Sequence, residues 1–307
     1  MKKLLLSIAV LLSVCVNAQP VPSYVPTNGL VVWFPFNGNA NDESGNGNNG
    51  TPMNGVTLTT DRNGNVNSAY SFDGIDDYIN IIYSTSLHGI SGTVNAWILS
   101  NGQFNSQKSI FSQSQGRPQL VAGAGGTHKG CIQWKATNFT FPGSNSTSAL
   151  DNSQWIMLTG YYSADTLKLY VNGVLENTFI TNLTQDNCSQ WDFQIGGFNT
   201  GGACGAFNGL SQMFNGKIDD IGMWNRALTQ NEINQLYTGG PCINYQTITV
   251  TDTLIINANL TGISPVTFAN TIKVYPNPAK DHITIDFGSN YRSEEHTSEL
   301  QSHSDLV

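Results

Sequence analysis

The chain is poor in charge, and poorer still in positive charge: Lys and Arg number 13 among 307 residues, against 21 Asp and Glu, for a net charge of −8. No cluster of Lys and Arg stands between Gln19 and Tyr291, which excludes the cationic surface that nucleic-acid phosphates demand. Long apolar runs are missing too. The one candidate, Leu4 to Val16, falls short of the roughly 20 residues that a membrane-spanning helix needs, so no transmembrane segment is expected. Glutamate is scarce: ahead of Arg292 only Glu43, Glu176 and Glu232 occur. None is spaced to suggest the pair of carboxylic acids, about 5–9.5 Å apart, that glycoside hydrolysis uses. His88 and His128 have no Ser or Cys pattern near them that suggests an activated nucleophile, and an enzyme is not expected. The cysteines show no CxxC spacing, which argues against zinc.

What the chain does have is Gly, Asn, Ser and Thr between short apolar runs, the composition of a secreted β protein. Met1-Lys2-Lys3, the apolar run and the small residues around Val16-Asn17-Ala18 form a secretory signal over residues 1–18. Cys15 raises lipoprotein processing, but Val14 stands where that reaction wants a small residue. Export carries Cys131, Cys188, Cys204 and Cys242 into an oxidising compartment. Disulfides are expected there, with Cys188 to Cys204 and Cys131 to Cys242 preferred among the three formal pairings, each contributing roughly 2–4 kcal/mol.

Strand signals recur from Leu30 to Trp224. Leu167, Leu169 and Val171 alternate with Lys168 and Tyr170, the pattern of a strand with one buried face. Asn172-Gly173 then supplies the positive-φ pair of a two-residue hairpin, with Val174 to Phe179 returning. Val94, Ala96 and Ile98 alternate likewise, and Val31 to Phe36, Ala69 to Phe72, Tyr78 to Ile82 and Ile218 to Trp224 are further runs between turns. One helix is predicted: Thr229 and Glu232 form a capping box, Ile233, Leu236 and Tyr237 share a face, and Gly239 stops it. The fold class is therefore all-β, a two-sheet antiparallel sandwich over residues 29–240 after an N-terminal segment of residues 19–28. Residues 241–271 follow as an extended linker.

The stretches GLVVWFPFNGNANDESGNGNNG (Gly29 to Gly50), SAYSFDGIDDYI (Ser68 to Ile79), TVNAWI (Thr93 to Ile98), LYVNGV (Leu169 to Val174) and GKIDDIGMWNRALTQNEI (Gly216 to Ile233) resemble, in order, the laminin-G-like, concanavalin A-like family. That resemblance implies a jelly roll. The paired-carboxylate motif of the β-glucanase relatives of this fold, ExDxxE or ExDxE, is absent. Separately, IKVYPNPAKDHITIDF (Ile272 to Phe287) resembles the start of the sorting domain read by the type IX secretion system of certain Gram-negative bacteria. It implies contact with secretion machinery and a place on the outer cell surface or outside the cell. Residues 272–291 are a truncated form of that β domain, and residues 292–307, which include RSEEHTSELQSH, resemble translated adapter sequence rather than protein.

Candidate chemistry sits on the sandwich. Asp42, Ser44 and Asn46, followed by Gly47, have the oxygen spacing that opens a calcium loop. Met53 stands where the closing carboxylate of an EF-hand loop falls, so the remaining ligand is assigned to Asp219, on the strand that the family resemblance places near this loop. Asp61 to Asn65 and the group Asp73, Asp76 and Asp77 read as turns. Trp33, Trp97 and Trp224 are expected in the core, whereas Trp134, Trp155 and Trp191 are candidates for a sugar-stacking platform, with Trp134 and Trp191, flanked by Gly and Asn, preferred. The partner expected is a glycan or a cell-surface protein. A carbohydrate-active enzyme of the same fold and a structural adhesin are the alternatives.

Overall fold

A computed structural model describes residues 21–102, 104–113, 118–150, 153–186, 191–200, 209–239, 273–276 and 283–286. The signal, the linker, the tail, Cys188, Cys204 and Cys242 lie outside the described residues. The strands, in chain order, begin with β1 (Leu30–Phe34), β2 (Gly50–Met53), β3 (Thr57–Thr59), β4 (Ala69–Asp73), β5 (Tyr78–Ile81) and β6 (Gly92–Ser100). They continue with β7 (Lys108–Gln113), β8 (Gln119–Ala122), β9 (Lys129–Gln133), β10 (Gly143–Ala149), β11 (Ile156–Tyr162) and β12 (Thr166–Val171). The last of this unit are β13 (Val174–Ile180), β14 (Phe193–Ile195), β15 (Phe198–Asn199), β16 (Leu210–Ser211) and β17 (Asn215–Trp224), before helix α1 (Gln230–Thr238).

They make two antiparallel sheets stacked as a jelly-roll sandwich. The first runs β13-β12-β11-β6-β17-β4-β3, with β1 also paired to β17. The second runs β10-β9-β8-β7-β14-β5-β2, and β15 and β16 form a separate pair. Inward residues fill the space between the sheets: Val94, Ala96 and Ile98 from β6 and Leu167 and Leu169 from β12 meet Phe111, Ile132 and Phe193 of the second sheet. Gly160 on β11 lies so close to Ile132 that a Cβ there would stand 2.7 Å from its side chain. At the tip of the β12–β13 hairpin Asn172 and Gly173 take φ of 49° and 82°, as the right-handed twist of a two-residue turn requires.

The outer face of the first sheet is not wet. Trp33, Trp97, Met157, Tyr170 and Trp224 form a second apolar cluster there, covered by Val25 from the N-terminal segment and by Leu228, Ile233 and Leu236 from α1 and its approach. Tyr170, expected on a solvated face, is buried for this reason. The capping box forms as the sequence indicates: Thr229 Oγ1 accepts the Glu232 N–H, and Glu232 Oε2 accepts the Thr229 N–H at 2.7 Å. Gly239 ends the helix at a φ of 66°. The outer face of the second sheet carries a transverse row instead, Asn80, Gln194, Ser112, Gln119 and Gln133, in register across β5, β14, β7, β8 and β9. Gln194 donates to Asn80 and Gln133 to Gln119, at 3.2 and 2.8 Å.

The described residues beyond Gly239 belong to a second unit. In it β18 (Lys273–Pro276) pairs antiparallel with β19 (Ile283–Asp286). Among the described residues no helix is long and apolar enough to cross a membrane.

Candidate functional site

The loop expected to hold calcium does other work. Both oxygens of Asp42 are turned onto backbone N–H groups: Oδ1 accepts from Trp33 at 3.0 Å and Ser44 at 2.9 Å, and Oδ2 from Asn48 at 2.9 Å. Ser44 Oγ and Asn46 Nδ2 donate to the Val31 carbonyl, each at 3.0 Å. The loop is thus a clamp on β1. Asp219 does not complete it, because its carboxylate is held by Arg62, with Nη1 to Oδ2 at 2.8 Å. Asp219 bonds to Arg62 and to the Asp220 N–H and shares no hydrogen-bond partner with Asp42, Ser44 or Asn46, so the four-residue calcium assignment to Asp42, Ser44, Asn46 and Asp219 is corrected at Asp219. Spacing of polar residues cannot distinguish oxygens aimed at a cation from oxygens aimed at the chain's own amides.

Carboxylates converge elsewhere. One oxygen from each of Asp73, Asp76 and Asp77, in the turn from β4 to β5, lies within 4.8 Å of the others, an arrangement able to hold a metal ion. Asp73 Oδ1 accepts the Ile75 N–H at 2.7 Å, and that bond holds its carboxyl below the usual carboxylate range. Burial pushes the Asp77 carboxyl up.

The placing of Trp134 and Trp191 on a sugar-stacking platform is also corrected. Trp134 is 0 % and Trp191 2 % exposed. Trp134 sits in the main core, because the chain turns back from β9 toward β10 with its indole inward, and the Trp191 carbonyl is tied down by Gln113 Nε2 at 3.1 Å. Cys131, assigned to a disulfide with Cys242, is a free buried cysteine on β9 packed with Val121 and Ala124. Burial pushes its thiol up to about 12. Of the glutamates, Glu176 is bound by Thr147 and Ser148, and Glu232 by the cap and Arg226.

An aromatic pocket of about 420 Å³ opens where the N-terminal segment, the β3–β4 turn and the end of α1 meet over β6. Tyr24, Arg62, Asn63, Trp97, Trp155 and Tyr237 line it. Trp97 is stacked on Tyr237, ring centroids 5.7 Å apart and 12° from parallel, and the Arg62 guanidinium stands 4.7 Å from the Trp97 ring centre. Tyr237, placed by sequence on the buried face of α1, is 41 % exposed and turns its ring to the pocket.

Behind the pocket lie two consecutive buried acids. Ile218 and Ile221 both point into the core, so strict alternation would send one of Asp219 and Asp220 inward as well. A β-bulge prevents that: the register shifts between Asp219 and Gly222, and Asp220 takes a φ of 44°. Both carboxylates then meet Arg62, whose Nη2 reaches Asp220 Oδ2 at 2.7 Å, and the Tyr24 hydroxyl donates to the same oxygen at 3.3 Å. Asn95 secures the bulge from β6 by donating to the Asp220 carbonyl at 3.3 Å. Burial and mutual repulsion push the Asp219 carboxyl up, against the pull of Arg62, and burial does the same to Asp220. Burial works against the Arg62 charge, but Asp220 and Asp219 more than offset it. The signal for this site was in the sequence, as two adjacent Asp residues amid an apolar strand together with one of its few cations. Arg62 stands 157 residues from Asp219, beyond the reach of local patterning.

The fold has counterparts among solved structures. The chain is similar to domain 4 of a GH43 extracellular arabinanase from Geobacillus stearothermophilus, solved with arabinotriose, at 17 % identity and a TM-score of 0.54, covering 68 % of this chain and 98 % of that domain. It is similar to the binding domain of botulinum neurotoxin DC solved with SialylT, at 15 % identity and 0.52, and to the same domain solved with rat synaptotagmin II, at 14 % and 0.51. In both cases it covers 69 % of this chain and about half, 52 %, of the toxin domain. These likenesses show the fold. No curated protein matches the sequence. Residues 73–234, more than half of the chain and the part that supplies strands to both sheets, match the family described as the concanavalin A-like lectin/glucanases superfamily, and with the sandwich observed here they establish that the chain belongs to it.

Proposed function

We propose that this protein is exported and acts, at the cell surface or released from it, as a glycan-binding module that seats its ligand in the aromatic pocket. The observation that carries the reading is the pocket's lining, in which the aromatic side chains of Trp155, Tyr24 and Tyr237 stand beside the polar side chain of Asn63. Sugars bind to such surfaces through their apolar C–H faces, with hydroxyls taken by a few placed polar groups. Its volume is on the scale of small-molecule sites, about 300–1,000 Å³. Binding without turnover fits the sealing of Asp219 and Asp220 behind Arg62, with side chains only 2 % and 9 % exposed. The arabinotriose and SialylT complexes of the similar domains agree in kind.

Export rests on the signal-like start and on the resemblance of Ile272 to Phe287 to a type IX sorting domain. A calcium ion on Asp73, Asp76 and Asp77 belongs to the same reading, since three hard carboxylate oxygens suit it. A panel of neutral and charged oligosaccharides titrated calorimetrically tests the pocket. Trp155→Ala and Tyr237→Ala should each weaken the bound sugar by at least about tenfold, roughly the 1.4 kcal/mol expected for one lost stacking face. Unchanged affinity in both variants would remove the pocket from the account, and binding to a protein partner alone would favour an adhesin.

A further inference from the structure

The pocket's one cation invites the expectation that it captures acidic sugars. Arg is the usual receptor for a carboxylate or sulfate, because its planar fork donates two parallel hydrogen bonds. Here each terminal nitrogen of the fork is already engaged by an acid. Nη1 is bound to Asp219 at 2.8 Å and Nη2 to Asp220 at 2.7 Å. The guanidinium face is stacked over Trp97, and its side chain is 13 % exposed. The Tyr24 hydroxyl, which might have met an anion, donates to Asp220 instead. Both acids are buried, at 1 % and 6 % exposure, so solvent screens them weakly.

Counted as a unit, one guanidinium and two carboxyls carry no net positive charge whether or not the acids share a proton. A ligand carboxylate in the pocket would find a cation that is already neutralised, with acid oxygens directly behind it. The chain as a whole, this cluster included, is also negative, at −8. Arg62 therefore serves as a flat wall beside Trp97 and not as an anion receptor.

Building on the glycan reading above, we infer that the Arg62, Asp219 and Asp220 cluster makes the aromatic pocket selective for neutral glycans and closes it to uronate-containing and sulfated ones. The lining's other polar side chains, including those of Asn63, Tyr237 and Thr238, are uncharged and suited to hydroxyls.

The test titrates the unaltered protein with neutral arabino-, xylo- and cello-oligosaccharides, with oligogalacturonate and sulfated oligosaccharides, and with chitosan oligosaccharides as the cationic arm. At least one neutral probe should bind at least about tenfold tighter than every charged probe, with an affinity that changes less than about twofold between low and high salt, since uncharged ligands are not screened. An acidic or cationic probe binding as tightly as the best neutral one overturns the inference while leaving the glycan reading intact. If no probe binds, the glycan reading falls, and this inference with it. Asp219→Asn combined with Asp220→Asn frees the fork and should raise oligogalacturonate affinity at least about tenfold, with neutral affinity held within about threefold. A folded double variant, by near-ultraviolet dichroism, that gains nothing for oligogalacturonate also overturns the inference. If that variant does not fold, the salt and charge series on the unaltered protein decides alone.

Discussion

Trp134 and Trp155 carry the same side chain into different surroundings, and the difference in burial separates stability from function. Trp134 is wholly enclosed in the core, while Trp155 is only partly buried and borders the aromatic pocket. Removing the first should cost stability and leave the binding surface alone. Trp134→Ala is expected to lower the unfolding free energy by about 3–5 kcal/mol, the range for emptying a large aromatic site, read as a shift in the urea midpoint at unchanged slope. A loss below about 1 kcal/mol would mean that the indole is not packed as described. The flanking Gly and Asn residues drew attention to Trp134 because they mark loops, yet a loop beside a strand can still send its one large ring inward.

Among the elements, α1 has the clearest dependence on pH. Glu232 holds the Arg226 guanidinium and caps the helix, and Arg226 above all, with the Thr229 bonds, lowers its carboxyl to about 2. A carboxyl whose folded value lies below its unfolded one contributes stability above the unfolded value, 4.5, and loses it as pH falls through about 2. Thermal melts of the unaltered protein and of Glu232→Gln should therefore differ at pH 7 and converge toward pH 2. A gap that persists in acid would place the effect outside this carboxyl. The β4–β5 turn offers the matching test for metal: calcium against a chelator should raise the melting midpoint, and Asp76→Asn, altering an exposed ligand, should abolish the rise.

The elements also divide by how far their determinants lie along the chain. Asn172-Gly173 and the Thr229 and Glu232 box were legible because each is complete within a few residues, and the alternation of Leu167, Leu169 and Val171 was legible because strand period is local. The bulge at Asp219 and Asp220 was not, since alternation alone gives no reason for two outward residues in succession. It takes Arg62 from a distant turn and Asn95 from the neighbouring strand to make that backbone worth keeping. Tyr170 was misread for the same reason: the helix and N-terminal segment that cover it arrive from elsewhere in the sequence.

For the molecule as a whole, the first sheet is a layer between two others, with the second sheet on one side and the N-terminal segment and α1 on the other. Trp224 Nε1 donates to the Pro26 carbonyl at 2.6 Å and Arg226 Nε to the Asn28 carbonyl at 2.7 Å, which pins that segment to the end of β17. A chain lacking residues 21–28 loses Val25 from the cluster around Trp33 and Trp224. Its melting midpoint should fall by roughly 4–8 °C, from about 2 kcal/mol of apolar burial at about 2–4 °C per kcal/mol. A midpoint within about 1 °C of the full chain would show the segment to be dispensable.

That same pinning sets the geometry of any tether. Tyr24 of the N-terminal segment and Gly239 at the end of α1 both border the aromatic pocket, so the segment that leads into β1 and the end of the helix meet at its mouth. A group attached beside Tyr24 or Gly239 would therefore stand at the mouth, and a long hydrophilic spacer is needed there before a surface-based assay reads the protein's true affinity.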